Sequence, residues 1–415
     1  MPREDSLREK LDFWRILSAR ALSMFCYQML SVAVGWQVYS LTGEVFDLGL
    51  VGLAQFLPMF LLTLLVGQVA DWYDRRVIVA LAQALQAMGV LLLAWGSLGG
   101  WLDLYHILGI LLLLSSVRAF EGPSIQALLP NLVSKEFFPK AVAWMASCTQ
   151  SAVIIGPALG GVLYVWGAQS VYGTVSALMV VASLLVVGVR RTHEIASRQK
   201  MSKESLLAGI AFIRSRPAMM GAISLDLFAV LLGGATAMLP VYAKDILETD
   251  TVGLGLLRAA PAIGALLVSL YLARFPLQGG VGRKMFRAVM IFGLATIGFA
   301  LSTHFWLSMG MLVVLGGSDV VSVVIRSSLV QLSTPDEMRG RVSAVNSMFI
   351  GASNQLGEFE SGMAAALLGV VPSVVLGGVG TILVALWWMR LFPELSRIER
   401  LKDLEPTPSS SAPLG

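Results

Sequence analysis

Five acids, Glu121, Asp226, Asp319, Glu358 and Glu360, and two arginines, Arg118 and Arg326, lie inside long apolar runs of this chain. A charge in such a run needs a partner, a cavity or a proton, because leaving it bare at the middle of a bilayer costs about 3 kcal/mol even on insertion scales. A carboxylate can release and regain a proton as it passes between wet and dry surroundings, whereas an arginine stays charged. The five acids are therefore candidate proton carriers, with Glu358 and Asp226 first and Glu121 next. Glu358 shares a helical face with Asn354 and Ser361, which suggests a wet side, while Glu360 points to another face. Asp319 and Arg326 are seven residues apart and share a face. Glu121 follows Arg118 by three residues, close enough to pair, so this couple is either a coupling site or a structural ion pair. The pair Glu358 and Glu360 has the same alternative, structural hydrogen bonding. Trp36, Gln37 and Gln55 are candidate cavity wall, with a lipid-interface position as the other reading of Trp36.

Other chemistry finds no support. His106, His193 and His304 form no cluster, and Cys26 and Cys148 sit in apolar runs with neither metal-ligand spacing nor a disulfide framework. No His-Glu-x-x-His or Gly-x-Ser-x-Gly pattern is present, and the stretch 279–284 lacks both the spacing and the hydroxyl of a phosphate-binding loop. No catalytic residue, metal or cofactor is expected, and any work done must draw on an ion gradient.

The elements that hold these charges are read from composition. Hydrophobic residues make up 56% of the 415 positions and charged residues 13%, against about 25% charged in soluble domains. Such a chain is expected in lipid. Spans of about 20 apolar residues are read at 17–40, 47–70, 76–98, 105–129, 141–166, 170–189, 218–243, 252–273, 285–302, 305–330, 342–368 and 371–391. The runs are too long for barrel strands. The expected fold is all-α, twelve transmembrane helices in two pseudo-symmetric six-helix bundles. The N-terminus shows no cleavable leader, being charged with both signs.

Of the 30 Lys and Arg, all but five fall in the termini and in alternate loops, together with the central linker. The exceptions are Lys244, in an opposite loop, and Arg20, Arg118, Arg258 and Arg326, within spans. Basic loops stay inside, so both termini are expected in the cytoplasm of a cell whose inner membrane the chain crosses. This placement argues against a nucleic-acid partner despite the net charge of +4. The organisation expected is a cytoplasmic segment 1–14, a bundle 15–190, a cytoplasmic linker 191–216, a second bundle 217–392 and a disordered tail 393–415. Within the linker, Leu206, Ile210 and Ile213 share a face that could lie on the inner membrane surface.

The halves repeat. Val38, Tyr39, Gly52 and Pro58 fall on Val241, Tyr242, Gly255 and Pro261 at an offset of 203; Gln126 and Pro130 fall on Gln331 and Pro335 at 205. Two parallel six-helix repeats are the layout of a rocking transporter with its site between the halves.

Three motifs sharpen this. Gly67, Asp71, Arg75 and Arg76 follow the second span, and their loop resembles the signature loop of the major facilitator superfamily. It is either a cytoplasmic latch between halves or simply a basic turn, with Asp71 free to cap the next helix or to pair. The corresponding loop of the second half has Arg274 in place of the acid. Arg118 to Gly122 resembles a motif of proton-coupled members, and Gly156, Pro157, Gly160 and Gly161 resemble the helix-bend element of exporters in the superfamily. The run 34–43 and the Gly357-Glu358 element are similar to the enterobactin-exporter and macrolide-efflux branch. The resemblance implies proton-coupled export of a siderophore or amphipathic drug-like molecule by a monomer in the bilayer. The residues alone leave a uniporter, an importer or a membrane-embedded enzyme as alternatives.

Overall fold

A chain surrounded by hydrocarbon must satisfy its amides internally, and long runs without water fold as helices. The computed structural model describes residues 2–134, 136–190 and 203–400, with side chains at all of these except 2–10, 63–64, 67–68, 70–71, 203–206, 336–337 and 344. The first half comprises α1 (Pro2–Thr42), α2 (Val45–Trp72), α3 (Arg75–Gly99), α4 (Leu104–Leu132), α5 (Phe138–Tyr164) and α6 (Ala168–Val187). A short α7 (Lys203–Arg214) precedes the second half. That half opens with α8 (Pro217–Leu232), continued by a 3-10 turn Ala235–Met238, α9 (Leu239–Val241) and a π turn Tyr242–Ile246. It goes on with α10 (Thr251–Arg274), α11 (Val281–Leu301), α12 (Phe305–Leu332), α13 (Asp336–Leu368), α14 (Val370–Leu391) and α15 (Pro393–Ser396).

Among the described residues there is no strand, and eleven segments are long and apolar enough to cross a membrane. The twelfth candidate, α13, has 33 residues. It has the length but not the composition, since Asn354, Gln355, Glu358 and Glu360 interrupt its apolar surface. The tryptophans Trp72, Trp101, Trp166 and Trp306 are exposed at or beside helix ends, where amphipathic rings meet headgroups.

Helix pairing repeats between halves. In the first, α1 packs on α5 and α6, α4 on α2 and α3, and α3 on α6; in the second, α8 packs on α13 and α14, α12 on α10 and α11, and α11 on α14. The turns Gly167, between α5 and α6, and Gly369, between α13 and α14, both have positive φ, 93° and 90°, a region glycine enters without steric cost.

The halves meet along two seams, α2 against α13 and α5 against α10. Helix alternation gathers Arg15, Arg76, Arg274, Arg341 and Arg390 at one end, here the basic end, and Lys244 at the other. Close glycine approaches across the seams run from the far end to mid-helix. A Cβ on Gly161 would lie 2.1 Å from the Thr251 carbonyl oxygen, one on Gly255 2.6 Å from that of Pro157, and one on Gly362 2.5 Å from the Gly49 Cα. Toward the basic end, Trp72 of α2 is 75% exposed and Trp144 of α5 is exposed as well.

Several expectations are corrected. Residues 2–14 are not a separate segment but the first turns of α1, because neither Gly nor Pro interrupts the chain from Arg3 to Val34. The seventh span is not one helix: the Gly233-Gly234 pair breaks it, and a Cβ on Gly234 would meet Ser361 Oγ at 2.2 Å, so the break admits α13. The apolar face of α7 rests on protein instead of the membrane. Ile213 is buried, Ile210 packs beside it against the second-half core, and Gly209 abuts the Arg341 carbonyl; Leu206 lies outside the described side chains. The tail is ordered as far as residue 400. Leu395 is fully buried, and Glu399 accepts from the Gly280 amide at 2.8 Å and from Arg283 at 2.9 Å. Those contacts, the amide first, hold the Glu399 carboxyl below its usual range. Residues 191–202 and 401–415 lie outside the described residues.

Candidate functional site

Helix termini at the basic end are tied within the first half. Asp74 caps α3, accepting from the Arg76 amide at 3.0 Å, so the capping role considered for Asp71 belongs to the residue three positions on. Arg76 also donates to the Val189 carbonyl at 2.6 Å, and Arg15 to the Gly188 carbonyl at 2.5 Å; both satisfy orphan acceptors at the end of α6. Gly67 and the Asp71 side chain lie outside the described side chains. Arg76 thus joins Asp74 and Val189, both within the first half.

Deeper in the first half, α3 and α4 position Glu121. It is 2% exposed and accepts from Gln83 Nε2 at 3.1 Å and Gln86 Nε2 at 2.9 Å. The expected pairing with Arg118 is absent, since the two glutamines, one turn apart on α3, claim both carboxylate oxygens. Arg118 instead lays its guanidinium over the Tyr27 ring, 3.1 Å from the centroid. Tyr27 in turn donates to Gln55 Oε1 at 3.3 Å. Arg20 of α1 is within electrostatic reach of both Glu121 and Arg118. A cleft bordered by Tyr27, Gln55, Gln86, Ser115 and Arg118 opens here, enclosing about 500 Å³ with its open mouth included.

The second half holds a different arrangement. Asp226 of α8 and Arg326 of α12 form an ion pair, 5% and 3% exposed. Asp319 does not pair with Arg326 despite the shared face; it borders, with Asp226, Ser318 and Ser322, a small cavity. Ser322 Oγ on its lining, and Arg326 Nε, are buried without a hydrogen-bond partner among the described residues.

Glu358 lies at the α2–α13 seam. A Cβ on Gly52 would stand 2.7 Å from its Cβ and 3.2 Å from its Oε2. Arg258 of α10 is within electrostatic reach of it and donates to the Ser31 carbonyl of α1 at 3.1 Å. Glu358, Arg258, Gly52 and Ser31 therefore bring four helices from both halves together. The wet face expected around Glu358 is only partly so: Asn354 is exposed, but Ser361 is buried against the helix break. Glu360 is half-buried. Gln37 does not line the cavity; it is bonded to Tyr172 at 2.5 Å and Ser97 at 2.9 Å. Trp36 packs against the core that includes Leu239 and Tyr242. At the far end, Tyr39 bonds Asp245 while Lys244 lies over its ring.

In the helix-bend motif, a Cβ on Gly156 would meet Gln28 Cβ at 2.6 Å and one on Gly160 the Met29 backbone at 2.9 Å. These glycines set the α5–α1 distance, and Gly161 sets α5–α10. Tyr27 and Arg258 were not singled out from sequence as site residues. Arg258 carried a signal, because an arginine within a predicted span needs a partner as much as an acid does.

Comparison with known proteins agrees with this architecture. The sequence model of a family described as "Transmembrane secretion effector" matches residues 7–413. The enterobactin exporter of Citrobacter koseri is 25% identical over 401 residues, 94% of this chain and 93% of that protein; that of Shigella boydii is 24% identical over the same shares. Among solved structures, a bacterial homologue of the human lysosomal transporter Spinster, in an inward-facing and occupied conformation, superimposes with a TM-score of 0.74 at 12% identity, covering 96% of this chain and 98% of that one. A nucleoside transporter gives 0.73 at 14% identity, covering 92% and 100%.

Proposed function

The chain belongs to the transmembrane secretion effector family of the major facilitator superfamily, whose members are transporters rather than enzymes, and from that premise we propose that it is a proton-coupled exporter of an amphipathic small molecule. The basic end faces the cytoplasm in this reading, with both termini inside, which the charge asymmetry of the loops supports. The seams closed at the far end then describe an inward-facing state. Export of a siderophore or a compound of that character is supported by the enterobactin exporters to which the chain is similar. The protein works as a monomer in the inner membrane, powered by the proton gradient and with no cofactor.

The observation that carries coupling is the place of Glu358. It lies at the seam, beside Gly52 and within reach of Arg258, so opening that end changes its contact with water and with its counter-charge together. Asp226, committed to Arg326, and Glu121, committed to two glutamines, are less free to exchange protons. Glu360 and Asp319 are the remaining candidates.

Two measurements check this reading. A reporter fused after Lys200 is expected to read cytoplasmic and one inserted near Lys244 external; the reverse would overturn the orientation. In vesicles with an imposed pH gradient, the wild type is expected to move a siderophore uphill. Glu358→Gln should lose uphill movement by at least about tenfold while retaining downhill exchange. Uphill export at the wild-type rate in Glu358→Gln would remove Glu358 as the coupling acid, and gradient-independent flux in the wild type would make the protein a uniporter.

A further inference from the structure

What the substrate must offer is carried by the cavity inside the first half. Its lining comes from α1, α2, α3, α4 and α6, with none from the second half. The polar groups gather around Arg118, and the remaining wall is apolar, with Val34, Val90, Leu111, Leu114 and Met179 among it.

The state of Arg118 is the key observation. One face of its guanidinium is covered by Tyr27. Among the described residues no carboxylate lies within ion-pair distance of it, because Glu121 is turned to Gln83 and Gln86. No hydrogen bond joins its N–H groups to a described residue, and it is half-buried at the cavity rather than sealed in packing. A guanidinium stacked on a ring keeps its N–H edge available and presents a planar fork that matches an oxyanion in two parallel bonds.

Charge accounting gives the same sign. Among the described residues the charged groups nearest the cavity are Arg118 of α4, Glu121 of α4 and Arg20 of α1, which is within electrostatic reach of both. One acid thus stands against two arginines. The cavity lining from α2, α3 and α6, Gln55, Gln86, Val90, Val175 and Met179, adds no charge. Arg258 and Glu358, at the seam by Ser31, balance each other. The cavity is therefore net positive, in a low-dielectric setting where one unpaired charge selects strongly against its own sign.

We propose that this cavity binds the oxyanion head of an anionic amphiphile, a carboxylate or ionised phenol, on Arg118 with the apolar body against the α3, α4 and α6 wall, and that it discriminates against cationic amphiphiles. The proposal rests on the transporter reading and narrows it, choosing the acidic members of the amphipathic class.

The test is equilibrium binding to the full-length protein in nanodiscs, without any gradient, of three probes that share one ring system: naphthalene-2-carboxylate, naphthalene-2-carboxamide and naphth-2-ylmethylammonium. The carboxylate is expected to bind at least about tenfold more tightly than the carboxamide, the scale of a charge-assisted hydrogen bond, with the ammonium weakest. Arg118→Gln should abolish that preference, with carboxylate affinity falling at least about tenfold, and Arg118→Lys should keep part of it. Equal or absent binding of the carboxylate relative to the carboxamide, or tighter binding of the ammonium, overturns the proposal. So does an undiminished preference in Arg118→Gln. Should that variant not fold, the wild-type ranking alone decides. Because no gradient is applied, the ranking is read whether or not export is proton-coupled, so failure of either reading is recognised separately.

Discussion

Arg326→Met, with Asp226 left in place, is expected to destabilise the protein by about 3–5 kcal/mol, the cost of stranding one partner of a buried ion pair. The pair joins α8 to α12 with both side chains almost wholly buried. Removing the arginine leaves Asp226 buried at a small cavity that Asp319 also lines, with no cation among its described lining residues. Asp226→Asn should cost at least as much, because it leaves Arg326 buried with a charge it cannot shed and with Nε already without a partner among the described residues. A cost of that size from a nearly isosteric substitution separates this account from a simple loss of packing, in which the larger side chain would matter and the acid would not. Thermal unfolding of detergent-solubilised protein followed by size exclusion measures both. A midpoint for Arg326→Met within about a degree of the wild type would show that the pair contributes nothing to stability.

Gly161→Val is expected to hold the far end open and to abolish transport. The seam there is backbone on backbone: a Cβ at 161 would lie 2.1 Å from the Thr251 carbonyl oxygen and 3.0 Å from its carbonyl carbon, and Thr251 Oγ1 already donates to the Gly161 carbonyl at 2.9 Å. Neither backbone can turn aside as a side chain could, so α5 and α10 must part. Overpacking of this kind costs about 1–3 kcal/mol, charged only to the state in which the seam is closed, and so shifts the population toward the other state by roughly 5- to 150-fold. A cysteine introduced at Val34, in a background where Cys26 and Cys148 are replaced by serine, reports the change. Its labelling by a membrane-impermeant thiol reagent from the far side should rise in proportion. Wild-type labelling together with wild-type transport would mean that the seam does not close in the working cycle.

The helical repeat, the six-and-six pairing and the identity of the buried charges are legible in the sequence because apolar length, glycine placement and charge are properties of single positions. Partner choice is not. Arg118 and Glu121 are correctly spaced to pair, yet the glutamines at 83 and 86 displace the arginine, a competition set by how α3 packs on α4. Asp319 and Arg326 share a helical face, yet the cation goes to Asp226, a hundred residues away in the chain. Periodicity also does not say what an apolar face will meet. The stripe on α7 suits a lipid headgroup region or a neighbouring helix equally, and here it meets the second-half core. Similarly, Leu395 in a proline- and serine-rich tail gives little sign that it will be buried.

The polar links that cross between halves near the closed end have a consequence for the timing of the cycle. Tyr39 to Asp245, Arg258 to the Ser31 carbonyl and Thr251 to the Gly161 carbonyl are each hydrogen bonds that a water molecule can take over on both sides. Parting them exchanges protein partners for solvent at a net cost of about 1 kcal/mol for the neutral Thr251 bond and about 1.5–3 kcal/mol for each of the two with a charged partner, and no interlocked side chains have to leave one another where glycine faces backbone. Such a gate has a shallow free-energy difference between shut and open. Its resting position is then decided less by the gate than by whatever occupies the interior, so that a bound cargo or a single proton is enough to tip it.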